Sequence, residues 1–96
     1  MFNGKEPTQK QLEKISVPPG TFASDKVREI GEKVEFSSES EGTELIETLT
    51  LFAKHGERSA SSEAREQLRH LANAWQPGMV GYDTHGRKAR EALGDL

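Results

Sequence analysis

Apolar side chains recur every three or four positions in two adjoining stretches at the centre of the chain. The two stripes are Leu45, Ile46, Leu49, Phe52 and Ala53, followed by Ala64, Leu68, Leu71, Ala72 and Trp75. This spacing is typical of half-buried amphipathic helices. Gly56 lies between the stretches, where it can end the first helix. The pattern therefore predicts a helical hairpin over residues 43–75, at the centre of an all-α domain.

The residues around the hairpin predict where its helices begin. Residues 37–42 form a polar, acidic stretch that we expect to be a loop, so that Thr43 opens the first helix. Ser59 or Ser61 is expected to start the second helix, because serine is a favoured N-cap residue.

A short helix is predicted near the N-terminus. Thr8 and Gln11 have the spacing of a capping box, in which each side chain bonds to the other residue's backbone. We expect this helix to turn Leu12 and Ile15 inward. The prolines at positions 18 and 19 then prevent the helix from continuing.

A second helix is predicted to begin at Ser24, which can act as its N-cap. Its apolar stripe is Val27, Ile30 and Val34. Gly31 weakens a helix, so it indicates either close packing or an early end. Residues 34–36 also alternate between apolar and polar, which leaves a short strand as an alternative. We favour a helix followed by an extended exit.

The C-terminal part predicts a crossing segment and a last helix. Residues 79–82 are mostly apolar and contain Gly81, and we expect them to cross the open end of the hairpin with Val80 and Tyr82 in the core. A final helix is expected over residues 84–93. Its inner side would carry Ala89, Ala92 and Leu93.

These elements predict an all-α bundle of four or five short helices around the central hairpin. We expect residues 1–7 to be a flexible tail and residues 8–96 to form a single small domain. Hydrophobic residues make up only 32% of the chain, whereas the apolar share of an average domain, with glycine included, is about 45–50%. A monomer with so small a core should be marginally stable, which favours a homodimer or a tight complex.

The composition also restricts the chemistry and the cellular location. The chain contains no cysteine, which excludes disulfides, thiolate zinc sites and cysteine nucleophiles. No apolar run approaches the ~18 residues of a membrane-spanning helix, and the N-terminal residues lack the apolar core of a signal peptide. We therefore expect a cytoplasmic protein that has no contact with membranes.

The polar residues do not predict a catalytic or metal site. His55, His70 and His85 are evenly spaced, but His70 falls opposite the apolar stripe of its helix, and we expect all three at the surface. A zinc or catalytic site needs about three converging groups, and only Asp83 and His85 lie close together in the sequence. The serines are explained as helix caps. We expect no enzymatic activity, no bound metal and no cofactor.

The net charge of −3 is unevenly distributed along the chain. Glu39, Glu41, Glu44 and Glu47 follow one another without an intervening base, and Leu51 falls outside the core stripe of the same helix. An exposed leucine beside carboxylates has the composition of an interface centre. We therefore favour a non-catalytic protein-binding regulator or inhibitor that uses these five residues, with nucleic-acid-handling machinery as one class of target.

A small dimeric DNA-binding regulator is the alternative. Arg87, Lys88 and Arg90 lie on the predicted last helix, and Arg65 and Arg69 lie on the hairpin. Such residues can contact phosphates, and a dimer would double the basic surface. The same residues also fit an ordinary solvated helix face. Protein binding is therefore the preferred interpretation.

Overall fold

The computed structural model describes residues 8–17, 20 and 22–96. These residues form five α-helices and one π-helical turn, and no strand occurs among them, which confirms the predicted all-α class. The helices are α1 (Gln9–Lys14), α2 (Ala23–Val34), α3 (Glu39–His55), α4 (Arg58–Ala74) and α5 (Arg87–Gly94), and the π-helical turn is Tyr82–Gly86. The expected flexible tail, residues 1–7, and the two prolines at 18 and 19 lie outside the described residues.

Helices α2, α3 and α4 form an up-down-up bundle. Only Gly56 and Glu57 separate α3 from α4, so these two helices are antiparallel neighbours. Arg28 on α2 contacts Glu63 on α4, and Glu35, just after α2, contacts His70, which lies about two turns further along α4. Because these partners advance in the same direction, α2 and α4 run parallel to each other.

The predicted apolar stripes meet in the core of this bundle. The largest fully buried side chains are Phe52, Leu49, Leu68, Leu71, Val27 and Val34. Helix α5 adds Ala89 and Ala92, whereas Leu45, Ala72 and Trp75 are only partly buried and pack against the edge of the core. The helical period therefore predicted the inner faces of α2, α3, α4 and α5.

Helix α3 begins four residues earlier than predicted, so the expected loop at residues 37–42 is wrong for residues 39–42, and only residues 37 and 38 of that stretch lie outside a helix. Ser38 is the N-cap, and its hydroxyl accepts a hydrogen bond from the backbone N–H of Glu41 at 3.3 Å. Glu39 and Glu41 lie in the first turn, where the helix dipole favours negative charge. Gly42 is buried inside the helix. A capping serine followed by carboxylates was the correct start signal, and Thr43 lies within the helix.

The first two helices confirm one predicted cap and correct another. Thr8 accepts a hydrogen bond from the Gln11 backbone at 3.2 Å, and the Gln11 side chain accepts one from the Thr8 backbone at 2.9 Å, which completes the capping box. The inward position of Leu12 is wrong, because this side chain is 41% exposed on a helix of six residues. Helix α2 starts at Ala23 without a side-chain cap, so Ser24 is not its N-cap.

Helix α4 also begins earlier than predicted. Glu57 occupies the N-cap position, and Ser59 and Ser61 lie in the first turn of the helix. The Ser61 hydroxyl donates a hydrogen bond of 2.6 Å to the carbonyl oxygen of Ala53, near the end of α3. Ser61 therefore joins the two hairpin helices rather than capping one of them.

The segment between α4 and α5 turns outward instead of entering the core. Val80 is 97% exposed and Tyr82 is half-buried, so the prediction that both are core residues is wrong. Gly78 and Gly81 have φ angles of 93° and 99°, which L-residues with side chains rarely adopt. These two turns carry Val80 away from the bundle. The chain then enters α5 through the π-helical turn, so a regular helix does not start at Thr84.

Candidate protein-binding surfaces

Helix α3 carries the acidic residues that the sequence singled out. Glu39, Glu41, Glu44 and Glu47 are all exposed. Successive residues of an α-helix are rotated by about 100°, which places Glu44, Glu47 and Leu51 on one face, opposite the buried side. The same rotation places Glu39 and Glu41 on either flank of that face. The structure therefore brings three of the five predicted residues together, and the helix dipole accounts for the other two.

Leu51 lies in a groove rather than on an open surface. We name this recess the Leu51 groove; it runs over α3 between α1 and α5 and has a volume of 420 Å³. The side chain is half-buried, which corrects the expectation of an exposed leucine. Ile46 and Ala92 also line the groove. The charged lining residues are Lys14, Glu47, Lys54, Lys88, Glu91 and Asp95. Leu51 therefore has apolar neighbours and a charged surround.

The basic residues of the alternative hypothesis are mostly engaged within the protein. Arg87 is exposed, and Lys88 lines the Leu51 groove. Arg65 lies 3.5 Å from the carbonyl oxygen of Ala53, and Arg69 forms a salt bridge with Glu66. The fifth residue, Arg90, is held against a tyrosine. Only part of the predicted basic set is thus available to a ligand.

Arg90 holds the π-helical turn against α5. Its guanidinium carbon lies 4.3 Å from the centre of the Tyr82 ring, and Nη2 donates a hydrogen bond of 3.2 Å to the Tyr82 carbonyl oxygen. Its Nη1 is buried without a hydrogen-bond partner in the described structure. These contacts fix the start of α5, so Arg90 acts as a structural residue at this position.

His85 is the histidine for which the surface prediction is wrong. Its ring is stacked on Trp75, with 5.6 Å between ring centres and an interplanar angle of 27°. Its Nε2 lies 3.1 Å from the carbonyl oxygen of Ser38, and the residue is only 9% exposed. His85 thus connects the π-helical turn to the start of α3. The sequence indicated no partner for it, because Ser38 was expected to lie in a loop. His70, in contrast, is exposed as predicted.

A second groove, between the parallel helices α2 and α4, was not predicted. We name it the α2/α4 groove; its volume is 660 Å³. Its lining residues are Arg28, Gly31, Glu32, Glu35, Phe36, Glu63, Glu66, Gln67 and His70. Helices α2 and α4 approach closely at Gly31, because a Cβ atom at this position would overlap the carboxamide of Gln67. This contact confirms the close packing that Gly31 indicated.

Hydrogen bonds from its own helix and from α2 favour the charged form of Glu63. Gln67 donates a hydrogen bond of 2.9 Å to this carboxylate, and Arg28 donates one of 3.0 Å. The hydrogen bond from Gln67 is the main cause that lowers the pKa of Glu63; burial opposes it, and Arg28 adds to the lowering. Glu35 lies 3.2 Å from His70 further along the groove. Arg28–Glu63 and Glu35–His70 are thus two contacts that join the walls of the groove.

Phe36 lies at the C-terminal end of α2, where it lines the α2/α4 groove with its side chain 90% exposed. The sequence did not reveal this surface, because its carboxylates come from helices about 35 positions apart. The sequence alone does not tell which residues of α2 lie beside which residues of α4, and the structure is needed to show this register.

Residues 8–17, 20 and 22–96 contain neither a candidate metal cluster nor a helix that could span a membrane. No three histidine, aspartate or glutamate side chains in this part of the chain lie close enough together to hold a metal ion. None of the helices found there is both long enough and apolar enough to span a membrane.

Comparison with models of protein families, with curated proteins and with solved structures found no match for this chain. Its function therefore has to be inferred from the two grooves and from the residues that line them.

Proposed function

We propose that the protein is a non-catalytic protein-binding regulator or inhibitor that forms a homodimer through the Leu51 groove. The composition of this groove supports the proposal most directly. Ile46, Leu51 and Ala92 form an apolar centre with charged side chains around it. Protein interfaces commonly combine an apolar centre with a polar rim. The groove can receive side chains from another protein surface.

The charges around the groove favour a second copy of the chain as one occupant. Two copies related by a twofold axis present the same surface to each other, so their charges must be self-complementary. The rim provides both signs: Lys14, Lys54 and Lys88 are positive, and Glu47, Glu91 and Asp95 are negative. A dimer formed in this way leaves the α2/α4 groove, which none of these residues lines, available to another partner.

Replacing Leu51 with aspartate tests the proposal. The L51D variant places a charge in the apolar centre, so it should convert the dimer to a monomer. Light scattering over a range of protein concentrations measures the mass, and circular dichroism checks that helicity is retained. Val80→Asp is the matched control, because it introduces the same charge at a side chain that is 97% exposed and does not line the groove.

A second variant separates loss of the interface from loss of folding. Lys88→Glu changes the charge balance of the rim without replacing a buried apolar group, and it should weaken the dimer. If the wild-type protein is monomeric at all concentrations, or if L51D and K88E both remain dimeric, the Leu51 groove is not the interface.

A further inference from the structure

We infer that the α2/α4 groove is a docking surface for an arginine-bearing segment of another protein, with one guanidinium group stacked on Phe36. The inference rests on the proposed protein-binding function, but it concerns a different surface from the Leu51 groove. Phe36 supplies an exposed aromatic face, and the groove beside it supplies carboxylates.

The charge of the groove is complementary to a basic segment. Its four carboxylates are Glu32, Glu35, Glu63 and Glu66. Arg28 and Arg69 pair with two of them, so four negative and two positive charges leave a net charge of −2 with His70 neutral. Glu32 makes no salt bridge within the described part of the chain. Its carboxylate is therefore available to an incoming cation.

The direction of the helices increases this negative potential at the Phe36 end. Because α2 and α4 run parallel, their C-terminal ends point the same way, and a helix C-terminus carries a partial negative charge. The last turn of α2 contains Lys33, which is paired with Glu29 at 3.3 Å, whereas the last turn of α4 contains no basic residue that would offset this charge. A cation is therefore favoured at the end of the groove where Phe36 lies.

Arginine fits this combination better than lysine does. A guanidinium group is planar, so it can stack on the Phe36 ring and at the same time donate paired hydrogen bonds to a carboxylate such as Glu32. An ammonium group can approach the ring but cannot form the planar, paired contact.

Other occupants fit the α2/α4 groove less well. A twofold dimer through this surface would bring the carboxylates of both copies together, and like charges that face each other are unfavourable. The carboxylates do not converge closely enough to bind a metal ion as a cluster. A basic segment avoids the repulsion between like charges, and it can place its positive charges along the groove beside carboxylates that lie too far apart for one metal ion.

Fluorescence anisotropy with short labelled peptides tests the inference. The probe is a synthetic peptide of alternating arginine and alanine, compared with lysine–alanine and glutamate–alanine peptides of the same length. At low salt the arginine peptide should bind most tightly, and the glutamate peptide should not bind. Absence of binding by the arginine peptide, or equal affinity for the arginine and lysine peptides, would overturn the inference.

Two matched pairs of variants locate the binding site. Phe36→Ser should weaken binding of the arginine peptide at least about threefold through loss of the cation–π contact, whereas Phe22→Ser, at the opposite end of α2, should not. The double change Glu32→Gln and Glu35→Gln should weaken it about fivefold. The same change at Glu13 and Glu57, which are exposed and line neither groove, should have little effect. Equal losses within either pair would show that the peptide does not use this groove.

The mass measurements on the Leu51 variants separate the two proposals. If L51D retains assembly while the peptide still depends on Phe36, only the Leu51 interface is wrong. If L51D dissociates the dimer but no peptide binds, only the docking inference is wrong. Dissociation of the dimer by F36S would show instead that a second copy occupies the α2/α4 groove.

Discussion

Gly42 in α3 and His85 in the π-helical turn lie so close together that a Cβ atom at position 42 would overlap the imidazole ring. Within a helix, glycine is less favourable than alanine by about 0.5–1 kcal/mol. The contact with His85 explains why a small residue is needed here. It also connects the start of α3 to the segment that leads into α5.

Gly42→Ala should therefore lower the free energy of unfolding by about 1–3 kcal/mol, because the added methyl group overpacks the site. Chemical denaturation followed by circular dichroism measures the change. Gly94→Ala provides the control, since no atom lies within 4 Å of a Cβ at that position. In a His85→Ala background the cost of G42A should become smaller; an unchanged cost would contradict the proposed overlap.

Ser38→Ala tests where α3 begins. Loss of the cap should reduce stability by about 1 kcal/mol, because the Glu41 N–H would lose the hydroxyl that accepts its hydrogen bond. Ser40→Ala is the matched control, and this exposed helical position should change stability by less than about 0.5 kcal/mol. If the two variants have equal stability, α3 does not depend on Ser38 for its start.

The amphipathic period predicted most of the fold, because burial follows it closely in long helices. The stripe that contains Leu49 and Phe52 and the stripe that contains Leu68 and Leu71 lie where the pattern placed them. The start of α3 was missed for a specific reason. Gly42 looks like a loop residue in the sequence, and only its distant neighbour His85 shows why a helix contains it.

The surfaces were less predictable than the core. Leu51 was recognised as lying outside the core stripe, but the groove around it requires α1 and α5 to pack on either side. The α2/α4 groove depends on the parallel register that places Arg28 beside Glu63. Such register is set by packing of the whole bundle, and no local sequence pattern reports it. Phe36 was accordingly read as part of an extended exit.

Leu68 and Val80 should respond in opposite ways to replacement by alanine. Leu68 is fully buried, so L68A should cost about 2–5 kcal/mol, a large part of the stability of a small domain. Val80 is 97% exposed, so V80A should cost less than about 0.5 kcal/mol. Urea denaturation measures both changes. If the slope of the free energy of unfolding against urea concentration is the same in the two variants, the shift of the midpoint reports stability alone. A large loss in V80A would contradict the outward position of residues 79–82.

Glu63 should make part of the protein's stability dependent on pH under acidic conditions. Its pKa in the folded protein is lowered below the usual 4.5, chiefly by the hydrogen bond from Gln67 and further by Arg28. The folded state therefore favours the charged carboxylate more than the unfolded state does. This contribution is fully present above about pH 4.5 and is lost as the pH falls through the lowered pKa of the folded protein.

Glu63→Gln should remove that contribution and so separate it from the other carboxylates. The variant should be less stable than the wild type at neutral pH, by less than about 1 kcal/mol because Arg28 is largely exposed to solvent. The difference should shrink as the pH is lowered below 4.5, because the wild-type carboxylate then becomes neutral as well. Denaturation midpoints over a pH series measure this convergence. Glu44→Gln, at an exposed position on α3, is the control and should show no such pH-dependent difference from the wild type. A constant difference between E63Q and the wild type at every pH would show that Glu63 does not favour its charged form in the folded protein.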